Sequence, residues 1–78
     1  MEQERHFEPT HRHYKGGMYR LVSSRVRREG DAARMCLYED EKGQQWVRPY
    51  EDFVGRVSIE NGGQTQVVLR YRKLNGGD

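Results

Sequence analysis

Apolar and polar residues alternate in short runs, and the runs are separated by breaks rich in glycine and charge. The breaks are Gly16-Gly17, REGD at 28–31, EDEKG at 39–43 and NGG at 61–63. So many turn signals in so short a chain leave room for short strands and little for helices. Strands are predicted over 18–24, 34–38, 45–48, 56–59 and 64–73. In the third, Trp46 and Arg48 share one face and Val47 takes the other; in the fourth, Val57 and Ile59 share a face. The fifth run is the clearest. There Thr65, Val67, Leu69 and Tyr71 alternate with Gln66, Val68, Arg70 and Arg72, which predicts an apolar inner face and a mostly cationic outer one. After Pro49 the stretch YEDFVG places acids in a first turn, Phe53 toward the core and Gly55 as a stop. A single helical or 3₁₀ turn is expected near residues 50–54. About five short antiparallel strands with one such turn imply an all-β fold, a small bent sheet closed into a barrel, because closure protects edges that a small flat sheet exposes.

Composition narrows this picture. The 78 residues are 33% hydrophobic and 33% charged, enough for one small domain whose core rests on a few large side chains. Candidates for that core are Leu21, Val22, Met35, Leu37, Trp46, Val47, Phe53, Val57, Ile59, Val67 and Leu69. The first ten residues are polar and aperiodic with Pro9 near their end, so residues 1–10 are expected to form a flexible tail, 11–74 a single domain and 75–78 a frayed terminus.

The formal net charge is only +2, but it is unevenly spread. Arg20, Arg25, Arg27 and Arg28 fall in a stretch without acids. Glu39, Asp40, Glu41, Glu51 and Asp52 dominate the stretch from Glu39 to Phe53. A partner meets a basic segment and an acidic one rather than a uniform field. The single cysteine, Cys36, lies in the run MCLY and has no intrachain partner, which fits a reducing, cytoplasmic setting. No apolar run has the length of a membrane span or signal-peptide core, and a soluble protein starting at Met1 with no membrane partner is the expectation.

HYKGGMY at 13–19, CLY at 36–38 and WVRP at 46–49, followed by Phe53, together resemble a bacterial and phage family known as domain of unknown function 1653. The matching positions are His13, Tyr14, Lys15, Gly16, Gly17, Tyr19, Leu37, Tyr38, Trp46, Val47, Arg48, Pro49 and Phe53. The resemblance spans roughly residues 11–74 and implies an SH3-like barrel without a known activity. The hairpin RVRREGDAA is more arginine-rich than the family pattern, and Arg34 stands where an aromatic residue is common.

Several groups of residues carry candidate chemistry. His11 and His13, two residues apart, would share a strand face that His6 approaches, but no cysteine or acid completes a metal-ligand spacing, so no metal is expected. Gly16 and Gly17 after Lys15 lack both the Walker spacing and a following helix. They read as a turn, with Lys15 kept as an anion contact. Tyr14, Tyr19, Tyr38, Trp46, Arg48 and Tyr50 form an aromatic set beside a guanidinium, suited to stacking on a planar group while pairing with its charge. Arg25, Arg27 and Arg28 in the hairpin and Arg70, Arg72 and Lys73 in the last strand would contact phosphates if the fold joined them.

No Ser-His-Asp or Cys-His arrangement is present, and a chain this small has little room for a water-excluding cleft; an enzyme is not expected, nor a cofactor. The sequence thus leads to a non-catalytic binding module. Its ligand residues are Tyr14, Lys15, Tyr19, Trp46 and Arg48, and its partner is an unidentified protein or a planar, anionic, nucleotide-like small molecule. The alternative is a nucleic-acid-binding barrel using Arg25, Arg27, Arg28, Arg70 and Arg72. An exposed strand edge would also permit a homodimer.

Overall fold

A computed structural model of the protein describes residues 7–74. Residues 1–6 of the expected tail, His6 among them, and the expected frayed terminus at 75–78 lie outside the described residues. The described residues are all-β and barrel-like, with seven strands where the sequence suggested about five. They are β1 (His11–His13), β2 (Met18–Arg27), β3 (Arg34–Glu39), β4 (Gln45–Pro49), β5 (Arg56–Asn61), β6 (Gln64–Leu69) and β7 (Tyr71–Lys73). One helical turn, α1 (Tyr50–Phe53), follows β4 directly. All pairings are antiparallel. Five strands form a sheet in the order β4-β3-β2-β1-β7, and β5 and β6 make a separate two-stranded hairpin.

The bend of β2 organises the larger sheet. Its pairing with β3 shifts register between Leu21 and Ser23 and again between Ser23 and Val26. Such irregularities add local twist, so one strand of ten residues can serve β1 at its start and β3 along its length. At the tip of the next hairpin, the Asp40 carboxylate accepts bonds from the Lys42 and Gln44 amides at 2.9 and 3.0 Å, and Gly43 adopts φ +86. These local bonds fix the register of β3 on β4.

The core is aromatic. Cys36, Tyr38, Phe53 and Tyr71 are buried together, with Tyr19, Leu21 and Tyr50 packed around them. Phe53 stacks on Tyr71 with ring centroids 4.2 Å apart and an interplanar angle of 8°. As the sequence suggests, α1 delivers Phe53 to this cluster. Gly55 ends the turn for a steric reason: a Cβ there would lie 2.7 Å from the Glu51 carbonyl oxygen. The buried acid Glu39 receives the Arg20 guanidinium at 3.1 Å.

Several expected core residues lie elsewhere. Val22, Trp46, Val47, Val67 and Leu69 are exposed, Val67 at 62% and Val47 at 56%. The reason is plainest in the last run. It is two strands, because the chain changes partner at Arg70, whose amide donates to the Gly55 carbonyl at 3.0 Å. β6 pairs only with β5, whereas β7 pairs with β1. The alternation that buries Tyr71 therefore does not continue back through Leu69 and Val67.

Candidate functional site

Where β1, β2, β3, β4 and β7 converge, the sheet carries a recess of about 340 Å³ lined by His13, Tyr19, Tyr38, Asp40, Trp46, Arg48 and Tyr71. Tyr19, Trp46 and Arg48 of the expected set meet here. Trp46 and Arg48 share a face of β4 because they are two residues apart, and the β3 register sets Trp46 opposite Tyr38 and Arg48 opposite Cys36.

The tyrosines form the floor. Tyr19 lies edge-on to Tyr38 and Tyr71, with centroids 5.5 and 5.8 Å apart. Interaction with the Tyr38 hydroxyl, foremost, raises the Arg48 pKa. Burial, reinforced by interaction with Tyr38, pushes the Tyr71 phenol above its ordinary range. The Arg48 guanidinium lies over the Tyr71 ring, 5.6 Å from its centroid. Its Nε is buried without a hydrogen-bond partner among the described residues. A buried N–H left unpaired is unfavourable by about 1–3 kcal/mol, more where the group is charged.

One wall is the indole. Trp46 is half exposed, and its Nε1–H donates to Asp40 Oδ2 at 3.1 Å. That bond, followed by the two loop amides, holds the Asp40 carboxyl below the usual carboxylate range. The acid thus orients the ring and leaves its face open.

The opposite wall is His13, which sits edge-on to Tyr71 at 4.9 Å and tilted against Tyr14 at 4.7 Å. Its Nδ1 accepts the Lys15 amide at 3.1 Å. Burial and the neighbouring Arg48, Arg70 and Lys15 lower its pKa, so the imidazole is neutral at pH 7. The tight β1–β2 turn responsible has Gly16 at φ +109, and its amide donates to the His13 carbonyl at 2.7 Å. The Gly16-Gly17 pair is the expected turn.

Other expected residues are placed differently. Tyr14 lines a second depression, with Arg12, His13, Ile59 and Arg72 among its walls, and Lys15 sits beside it with its ammonium 5.8 Å from the Tyr14 centroid. Neither lines the recess. His13 and Asp40 belong to it although sequence reasoning gave them no ligand role. The adjacent glycine turn was a signal for His13; Asp40 reads only as a loop acid. His11 is occupied, bonded at Nδ1 by the Thr10 hydroxyl at 2.7 Å and packed edge-on against Phe53 at 5.1 Å. Among the described residues no three histidines, cysteines or acids gather as a metal site.

The two halves of the basic set lie apart. Arg25 and Arg27 lie in the far end of β2 and Arg28 just beyond it, whereas Arg70 precedes β7 and Arg72 lies within it, and β7 joins β1 beside the near end of β2. Arg28 is held by Asp31 at 2.7 and 3.1 Å, and Arg27 donates to the Ala32 carbonyl at 3.1 Å. Arg34, which replaces the expected aromatic, lies 3.7 Å from the Tyr50 ring centroid and donates to the Ser24 carbonyl. It completes a stack rather than opening a pocket.

No curated protein and no solved structure matches the chain. A family model described as a protein of unknown function, DUF1653, matches residues 9–73.

Proposed function

The chain belongs to this family of unknown function, and from that premise we propose that it is a non-catalytic binding module holding a planar, anionic, nucleotide-like ligand in the Tyr19–Trp46–Arg48 recess. The observation that carries this reading is the buried, unpartnered Nε of Arg48 beside an open indole face. A phosphate or carboxylate at that edge of the guanidinium would satisfy the N–H, and a flat ring would cover Trp46. Neutral His13 and the Tyr38 and Tyr71 hydroxyls add hydrogen-bonding groups without adding negative charge. Asp40 stands at the rim as an acceptor for a base or amide N–H. A carboxylate-bearing side chain of a partner protein has the same chemistry and is the competing occupant. The buried thiol of Cys36, its pKa raised by burial, suits a cytoplasmic setting, and no helix among the described residues is long and apolar enough to cross a membrane.

Thermal denaturation against mononucleotides and cyclic nucleotides tests the proposal. A ligand at a hundred times its Kd stabilises the native state by about 2.7 kcal/mol. Wild type should gain stability with at least one compound, and Arg48→Ala should lose that gain. An equal gain in Arg48→Ala, or none in wild type, rejects it.

A further inference from the structure

The second depression, about 430 Å³, lies between the β1–β7 edge and the β5–β6 hairpin. Ile59, Val68 and Leu69 supply its apolar wall, Arg12 and Arg72 its charged one, and no acid among the described residues lines it. The two arginines face each other in the β1–β7 register. Like charges directly opposite in a sheet repel, and neither arginine has an ion pair among the described residues. An anionic group between them would turn that repulsion into two charge-assisted bonds.

The backbone indicates what kind of anion. Tyr14 N–H donates to the Arg70 carbonyl and Leu74 N–H to the Thr10 carbonyl, each at alternate positions of the same register. Arg12 and Arg72 are therefore the hydrogen-bonded pair between them, and the main-chain groups of Tyr71 and Lys73 point away from β1. Among the described residues β7 is the last strand of its sheet, so that edge is open. An edge with unpaired amides, two unpaired arginines and an apolar wall fits an extended chain better than a compact anion. We infer that this groove docks an acidic, apolar-containing segment of a partner protein, added as a strand along β7, with its carboxylates on Arg12 and Arg72 and its apolar side chains against Ile59, Val68 and Leu69. This site does not depend on the recess reading.

The probe is a fluorescein-labelled octapeptide of glutamate, valine and leucine, followed by anisotropy and by amide chemical shifts of the 78-residue chain. Binding should perturb residues of β7, Arg12, Ile59 and Val68 while sparing Trp46 and Arg48. Arg12→Glu with Arg72→Glu should weaken it about tenfold or more, a change worth about 1.4 kcal/mol per tenfold. A glutamine version of the peptide, and one N-methylated at alternate amides, should each bind more weakly. Shifts centred on Trp46, or affinity unchanged in the double variant, overturn the inference. So does binding at this groove by dodecanoate, an oligonucleotide or a second copy of the chain, but not by the peptide. Both arginines are exposed, and an unchanged amide spectrum shows that the variant is folded.

Discussion

β3 of the five-stranded sheet and both strands of the β5–β6 hairpin are six residues long, yet the sheet and the hairpin hold their side chains in opposite ways. β3 lies between β2 and β4, and four of its six residues are buried. β6 has no buried residue, and its partner β5 has none either. In the sheet, a few tyrosines and one phenylalanine do what aliphatic residues do in larger cores. Their hydroxyls also supply the polar floor of the recess. In the hairpin, valine and leucine form a pattern that suits a strand while none of them is buried. Apolar alternation therefore marks strand formation in this chain more faithfully than it marks burial.

The largest blow to the sheet should come from Phe53→Ala, which removes the ring stacked on Tyr71 and should lower stability by about 3–5 kcal/mol in urea denaturation. A loss below 1 kcal/mol would mean that the aromatic cluster is not the core. Gly55→Ala forces a Cβ against the Glu51 carbonyl and should cost about 1–3 kcal/mol, read the same way. Tyr71→Phe leaves the Tyr38 hydroxyl without its partner inside the cluster and should cost about 1–3 kcal/mol. In the hairpin, by contrast, Val67→Thr should stay within about 0.5 kcal/mol of wild type. Hydrogen exchange sharpens the same contrast, with β5–β6 amides exchanging faster than those of β3. Equal protection would show that the hairpin is packed more firmly than its exposure implies.

The smallest expected effect is on pH. The folded chain holds His11 and His13 below their ordinary value of 6.5, chiefly by burial. Protonation therefore favours the unfolded chain. The stability contribution of the neutral rings is intact above pH 6.5 and is lost as the pH falls from there through the depressed native values. Melting temperature should drop modestly between pH 7.5 and 5.5, and His13→Gln should flatten part of that slope. A steeper slope in the variant would contradict the assignment.

Much of the fold was legible from residue order. Pro49, Phe53 and Gly55 announce α1 because each acts locally, through backbone restriction, burial and the absence of a Cβ. The strands β2 to β4 follow from breaks that local hydrogen bonds enforce. What sequence does not express is a change of strand partner, so the run through Arg70 reads as one strand and its apolar face as inward. The short β1 is also silent, since HRH has no apolar residue to mark it. For the site, Tyr19, Trp46 and Arg48 were legible from residue type and family pattern. Tyr14 and Lys15 separate from them because the turn at Gly16 lies between, and His13, whose signal was the adjacent glycine turn, enters through the bonds of that turn.

The bond from Trp46 to Asp40 has a practical corollary. The chain contains one tryptophan, and it stands at the mouth of the recess with its ring half in water and its N–H fixed. Its emission is thus an optical probe already installed at one known place. Any ring that stacks on it should quench the fluorescence, and any occupant that displaces water should shift the spectrum to the blue, before a label or a second substitution is introduced.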